Sequence, residues 1–484
     1  MAHSIRKLTL ATCLLVGSLA AQNTPIQHVV VIFGENNSFD HYFGTYPNAA
    51  NPQGEPAFVA ATNTPTVNGL TPALLTSNPN SVQPYRLDRS METTCDNDNH
   101  YADEQKAYHA GLLDKFPENT SATAAGCPPG LVMGYYDGNT VTALWNYAQN
   151  FALSDNFFDT EFGTTVMGHL NLISGQTHTS SIQTISGKVA NGSVIANVEA
   201  GFDDCVTTAN GTPVKMTGKN IGDLLNAKNI TWGWFYADFP QSTNNQPIPA
   251  SGCASTYNSH YDPFQYYQST SNIHHLPPSS TSAIGTSTDQ ANHNYTINDF
   301  WNAANNGNMP AVSFLKASKP QTGHPSDSTP LMEQQFLVET INALQQLPQW
   351  KSTAILLAYD DSDGWYDHVM PPIVNQSNDP GQDALLGAGM CGTPVAGAYL
   401  DRCGYGTRLP LIVISPYAKQ NFVGHTLTDL TSVTRFIEDN WDLGRIGDQS
   451  FDALAGSILD MFDFNSAPRT KKVLLNETTG QPIR

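Results

Sequence analysis

Three apolar runs divide the chain: "HVVVIF" at 28–33, "TAILLAY" at 353–359 and "LPLIVIS" at 409–415. Each is short, aliphatic and without polar alternation, the pattern of a parallel strand buried on both faces. Between and after them, "EQQFLVETINALQQL" (333–347) and "LTSVTRFIEDNWDL" (430–443) repeat apolar residues at helical spacing. Strands alternating with helices predict a three-layer α/β fold, a central and mostly parallel sheet flanked by helices. Ligands of such sheets sit beyond the carboxyl ends of the strands. Glu35-Asn36 and Asp360-Asp361 fall there, after two different strands. The stretch 176–320 differs, being rich in Ser, Thr, Asn and Gly with apolar islands such as "ITWGWFYADF". It reads as a loop-rich insertion in a single domain spanning 22–484, with no internal repeat.

Composition narrows the class. Of 484 residues, 40% are hydrophobic and only 13% charged, with 37 Gly and 31 Pro, which describes a loop-rich globular protein. A net charge of −20 argues against nucleic acid as partner and against a polybasic membrane patch. Arg6 and Lys7 precede an apolar run from Leu8 to Leu19 and then Ala20 and Ala21. That pattern predicts a signal peptide over 1–21, hence a secreted or periplasmic protein without a stable membrane anchor. Six cysteines then remain, and 15 pairings are open to them. Proximity along the chain favours Cys95–Cys127, Cys205–Cys253 and Cys391–Cys403, against the alternative of free buried thiols. No CxxC spacing offers a metal site on cysteine.

The chemistry concentrates in three places. Asp360 and Asp361 end an apolar strand; such a pair is either an ordinary solvated loop or, since adjacent carboxylates repel, a site with a cation beside it. With Glu35 and Asn36 they form an oxygen-rich set suited to one hard divalent cation, its identity open. In "FGTTVMGHLNLISGQ", Gly163 and two threonines precede a helical segment that Gly175 can end. Thr164 or Thr165 either caps that helix or serves as a nucleophile at its N-terminus. Several of the fourteen histidines stand in polar contexts: His100, His260, His274, His275, His324 and, just after the carboxylates, His368. Each is either a surface or structural residue or a group that stabilises phosphoryl charge or protonates a leaving group. HExxH, GxSxG and Walker motifs are absent from the sequence.

"GENNSFDHYFG", "FGTTVMGHLNLISG" and "YDDSDGWYDHV", in that order, resemble the bacterial phosphoesterase family, the phospholipases C and acid phosphatases of the alkaline-phosphatase superfamily. "TCDNDNHYADEQKAYHAGLLDKF" and "HYDPFQYYQST" are further blocks of that kind. The resemblance implies one divalent metal ion held by Glu35, Asn36, Asp360 and Asp361 together with the nucleophile Thr165. It implies attack on phosphorus and a covalent phosphothreonine. His260 and His324 match histidines that line the family's phosphate pocket. His100 matches with a one-residue offset, Asn99 standing where the family has Asp. Asn37 replaces a frequent arginine, and Met167-Gly168 replace Pro-Asn; these departures are expected to alter substrate contacts rather than metal ligands.

The expected function is a secreted phosphoric-ester hydrolase acting on small phosphate esters or phospholipids. An aromatic cage for choline would have to come from "WGWFYADF" or "PFQYYQ", which read equally as core. The alternative is a non-catalytic exported metal- or glycan-binding protein on the same fold.

Overall fold

The computed structural model describes residues 22–207, 211–392 and 396–483. The signal-peptide expectation for 1–21 lies outside the described residues. Nine strands form one sheet: β1 (His28–Gly34), β2 (Ala152–Phe158), β3 (Trp232–Tyr236), β4 (Asn294–Thr296), β5 (Val312–Lys316), β6 (Thr353–Tyr359), β7 (Arg408–Ile414), β8 (Phe422–Gly424) and β9 (Thr428–Asp429). Their order is β8-β2-β7-β6-β1-β5-β3-β4, with β9 also pairing β2. All neighbours run parallel except that β7 is antiparallel to both β6 and β2.

"LPLIVIS" was expected to be a parallel strand, and that expectation is corrected. A run buried on both faces is apolar throughout whichever way it points. The direction shows in the pairing: β7 runs antiparallel to β6, so the connection between them starts and ends at the same end of the strands. The stretch 176–320 contributes β3, β4 and β5 to the sheet along with its loops, and "ITWGWFYADF" supplies β3.

The β1–β6 register positions the site. His28 pairs with Thr353 and Gly34 with Tyr359, so both strands end level. Glu35 and Asp360 are the next residue on each, and they therefore emerge side by side. Helices flank the sheet: α1 (Thr142–Asn150), α2 (Thr165–Ser174), α3 (Pro330–Gln346) and α4 (Leu430–Trp441). The predicted spans 333–347 and 430–443 are α3 and α4. Thr329 caps α3 through the Met332 amide, Pro330 opens it, and Asp429 caps α4. α2 packs on α4, and α1 on α3. Val29–Val31 and Ile355–Ala358 are fully buried, about 1.5–3 kcal/mol per large aliphatic side chain. Among the described residues, no helix is long and apolar enough to cross a membrane.

The cysteines pair as proximity along the chain favours: Cys95–Cys127, Cys205–Cys253 and Cys391–Cys403. Loop-closure entropy makes the 12-residue Cys391–Cys403 bridge worth about 3 kcal/mol and the 48-residue Cys205–Cys253 bridge about 4 kcal/mol. Double alanine variants of each bridge, compared by urea unfolding, should lose stability in that order. Equal stability with and without the bridges would contradict the pairing.

Candidate active site

The turn after β1 is built by Asn36, whose φ of 58° lies in the left-handed region that asparagine tolerates. That turn laces the two strand ends together. The Asn36 amide donates to Asp360 Oδ1 at 2.9 Å, and its side-chain Nδ2 to Asp363 Oδ1 at 2.7 Å. The Asn37 amide donates to the Asp361 carbonyl at 2.8 Å. Asp361 Oδ1 accepts from the Asp363 amide at 2.7 Å and from Asn99 Nδ2 at 2.9 Å. Glu35, Asn36, Asp360, Asp361 and Asp363 are all buried.

Helix α2 lies directly on this turn. A Cβ at Gly168 would sit 1.9 Å from the Asp360 carbonyl oxygen, so only glycine allows the approach. Gly175 ends the helix in the left-handed conformation, φ 61°, as its position predicts. Thr164 holds the N-cap position, yet its hydroxyl makes no capping bond. Asn197 Oδ1 instead accepts from the Val166 amide at 3.0 Å. Thr165, the first helical residue, points its hydroxyl at Asp361 Oδ2, 3.4 Å away.

Two residues at the centre escaped the sequence reading. The Lys316 ammonium, at the end of β5, pairs with Glu35 Oε1, lies 3.3 Å from the Phe33 carbonyl and 4.6 Å from the Tyr261 ring centroid. A lysine closing the apolar run "AVSFL" was the available signal. His169 lies one helical turn after Thr165. Its Nδ1 donates to the Thr165 carbonyl at 2.8 Å, and its Nε2 is 3.8 Å from Glu35 Oε1. Burial and the Lys316 charge hold the imidazole well below its ordinary pKa, so it is neutral. Spacing of i, i+4 from the threonine would have found it.

The donor set fits a divalent cation. Glu35 Oε2, Asn36 Oδ1, Asp360 Oδ2 and His169 Nε2 are buried without a hydrogen-bond partner among the described residues. Ligand atoms of Glu35, His169 and Asp360 lie within 4.8 Å of one another. Burial pushes the Glu35 carboxyl up to about 7 despite Lys316, and burial with the Asp360 charge pushes Asp361 up to about 8. Asp360 is raised well above the carboxylate range by burial and by Glu35. Unpaired oxygens on mutually repelling carboxylates are what an oxygen-seeking ion relieves.

A cavity of about 370 Å³ opens onto this cluster, and Asn36, Thr164 and Thr165 form part of its wall. Of the histidines proposed for chemistry, His324 and His100 line it. His324 Nδ1 bonds the Pro325 carbonyl at 2.6 Å; His100 is exposed and pairs with Asp98. Asn99, not His100, reaches the Asp361 carboxylate. His260 is half-buried, its Nε2 3.5 Å from Glu199, and is not on the cavity wall. His274 pairs with Asp204 and His275 with Asp203.

His368 is not brought to the cavity. Left-handed Asp363 (φ 53°) and Gly364 (φ 67°) turn the chain away after the carboxylates. His368 Nδ1 then bonds Asp40 at 2.6 Å, in a buried network with Arg408 and Asp367. Asn37 is also turned inward, its Nδ2 donating to the Glu35 carbonyl at 2.8 Å, which corrects its expected contact with substrate. The aromatic islands are core: Trp232, Trp234, Phe264 and Tyr266 are fully buried, and among the described residues no Phe, Tyr or Trp lines the cavity. A wider cleft of about 570 Å³, bordered by Lys215, Lys219 and Tyr267, holds none of the residues expected to carry chemistry.

The model of the Phosphoesterase family matches residues 26–444. The chain belongs to that family. The chain is 26% identical over 438 residues to a non-hemolytic phospholipase C of Pseudomonas aeruginosa, covering 86% of this chain and 54% of the relative. It is 28% identical over 432 residues to a non-hemolytic phospholipase C of Burkholderia pseudomallei, covering 85% and 55%. It is 24% identical over 465 residues to phospholipase C A of Mycobacterium tuberculosis, covering 93% and 79%. The chain thus spans about half the length of the first two relatives. Murine ectonucleotide pyrophosphatase/phosphodiesterase 5 overlays 67% of this chain and 95% of its own at 11% identity, with a TM-score of 0.33. So weak an overlay bears no argument about chemistry.

Two predictions follow from the packing and the charge. Gly168→Ala must push α2 off the Asp360 carbonyl; it should cost about 1–3 kcal/mol in thermal or urea unfolding. Unchanged stability would mean the helix stands farther off. In the metal-free protein, Glu35 and Asp361 bind protons more readily folded than unfolded. Their contribution is full below the ordinary carboxylate pKa and is lost as pH rises through about 7 to 8. Calorimetry of chelator-treated protein should therefore show the melting temperature falling between pH 5 and 8, and a divalent cation should restore it at the upper end. A flat profile would refute the buried cluster.

Proposed function

We propose that this chain is an exported phosphoric-ester hydrolase with Thr165 as nucleophile and one divalent cation held by Glu35, Asn36, Asp360, Asp361 and Thr165. His169 Nε2 is a further candidate ligand. The observation that carries the reading is the set of unpaired buried oxygens, Glu35 Oε2, Asn36 Oδ1 and Asp360 Oδ2, on the cluster whose Asp361 meets the Thr165 hydroxyl. When bound, a divalent cation supplies the positive charge that lowers the hydroxyl pKa and draws charge from the phosphoryl group. Binding alone needs no such hydroxyl, so the reading favours turnover over a passive metal- or glycan-binding role.

Thr165 is oriented from both sides. Its hydroxyl proton faces Asp361 Oδ2, the acceptor to which it passes, and its carbonyl is held by His169. Thr165 Oγ1 attacks phosphorus in line; the P–Oγ1 bond forms as the bond to the leaving oxygen breaks. His324, on the cavity wall, gives its own proton to the leaving alkoxide. Water then attacks the phosphothreonine and passes a proton to His324; the P–Oγ1 bond breaks, Asp361 hands its proton back to Oγ1, and phosphate is released with the hydroxyl restored. Lys316 pairs one Glu35 oxygen and leaves the other free for the cation.

Among the described residues the cavity wall carries no Phe, Tyr or Trp that could cage a quaternary ammonium. This favours phosphomonoesters over phosphocholine esters. Three disulfides support an oxidising destination outside the cytoplasm.

Thr165→Ala should lower turnover by at least about 10³-fold with the melting temperature kept, and exhaustive chelation should abolish turnover until a cation is restored. p-Nitrophenyl phosphate should be cleaved faster than p-nitrophenylphosphorylcholine. Wild-type rates in the alanine variant would sink the covalent route; full activity after chelation would sink the metal.

A further inference from the structure

Two buried donors on the cavity wall have no role in the scheme above. Thr164 is 3% exposed, lines the cavity, and its Oγ1 has no partner. Its backbone, at φ −100° and ψ 172°, is that of an N-cap residue, whose hydroxyl ordinarily accepts from the first turn of the helix. Here Asn197 has taken over the Val166 amide from outside the helix, at 3.0 Å. The threonine hydroxyl is thereby released, one residue before the nucleophile. A buried hydroxyl left unpaired is destabilising, a cost the free protein bears.

Asn97 is the second. It is 8% exposed and lines the same cavity, and its Nδ2 has no partner. The amide orientation is set by its other contacts. Oδ1 accepts from the Ala122 amide at 3.2 Å, and the Asn97 backbone amide donates to Asp363 Oδ2 at 3.2 Å. The free atom is therefore the NH₂ group, which donates only and cannot ligate a cation. An unpaired amide donor beside a cluster of carboxylates calls for a ligand that brings its own acceptors.

We propose that Asn97 Nδ2 and Thr164 Oγ1 form a donor pair for the non-bridging oxygens of a bound phosphoryl group. This rests on the hydrolase reading of the site and adds to it the groups that hold the anion beside Thr165. Both donors exist before the ligand arrives, and Asn97 is braced through Asp363 to the metal-site turn. They stabilise the oxygens without reorganising, the property that makes such donors effective on developing charge. Thr164 and Thr165 then divide the work, one hydroxyl holding the phosphoryl group and the next attacking it.

The test is inorganic phosphate, titrated calorimetrically into the full protein loaded with the divalent cation that supports turnover. Thr164→Val and Asn97→Ala should each weaken phosphate binding about tenfold, as loss of one hydrogen bond to a charged group requires. Thr164→Ser should regain wild-type affinity, which a purely structural role of the threonine methyl would not allow. The two variants disturb different elements, so a folding defect in one leaves the other decisive, with melting temperatures as control. Phosphate affinity within twofold of wild type in the folded variants overturns the donor pair, as does a Thr164→Ser variant no better than valine. Should wild-type protein neither bind phosphate nor cleave p-nitrophenyl phosphate, the hydrolase reading itself falls, and the donor pair with it.

Discussion

Carboxylates gathered inside a protein must be neutralised, and this constraint organises the centre of the molecule. Glu35, Asp360, Asp361 and Asp363 are buried together where β1 and β6 end. Backbone amides and the side chains of Asn36 and Asn99 satisfy some of their oxygens, and Lys316 satisfies one more. The Thr165 hydroxyl meets Asp361 Oδ2, and Glu35 Oε2 and Asp360 Oδ2 have no hydrogen-bond partner among the described residues. A core that served only stability would have replaced such groups with apolar ones, since unpaired buried charge costs several kcal/mol per group. The protein carries that cost where its strands end, at the edge where α/β sheets bind ligands. Each additional feature of the site relieves or exploits the repulsion.

The relief depends on close approach. Gly168 lets α2 touch the Asp360 carbonyl, and that contact brings the Thr165 hydroxyl to Asp361. The level ends of β1 and β6 bring Glu35 and Asp360 side by side, and the left-handed Asn36 closes the turn between them. Short-range geometry and long-range topology thus meet within a few residues. A shift of either strand by one residue would send its acidic side chain to the other face of the sheet.

Features encoded locally were legible in the sequence. The two parallel apolar strands, the helices 330–346 and 430–441, the glycine end of α2 and the acidic strand ends each announce themselves over a few residues. Strand direction did not, because β7 owes its orientation to the 360–407 connection and not to its own residues. His368 follows the carboxylates so closely that it looked like a companion, yet two left-handed residues at 363 and 364 carry it to Asp40. Lys316 was hidden for the opposite reason. It lies 281 residues from Glu35 in the chain, and only the pairing of β5 with β1 joins them.

The same charge argument explains Asn37, which stands where the resemblance leads one to expect arginine. Its side chain is 2% exposed and bonds the Glu35 carbonyl, so the position faces the interior and not the cavity. A guanidinium there would have to be buried beside the turn that carries Glu35 and Asn36. Buried cations need carboxylate partners with good geometry, and Glu35 already has one in Lys316. A neutral amide at 37 holds the turn by its backbone while adding no charge. Position 37 therefore acts on the backbone that places the Glu35 carboxylate, through its bonds to the Glu35 and Asp361 carbonyls.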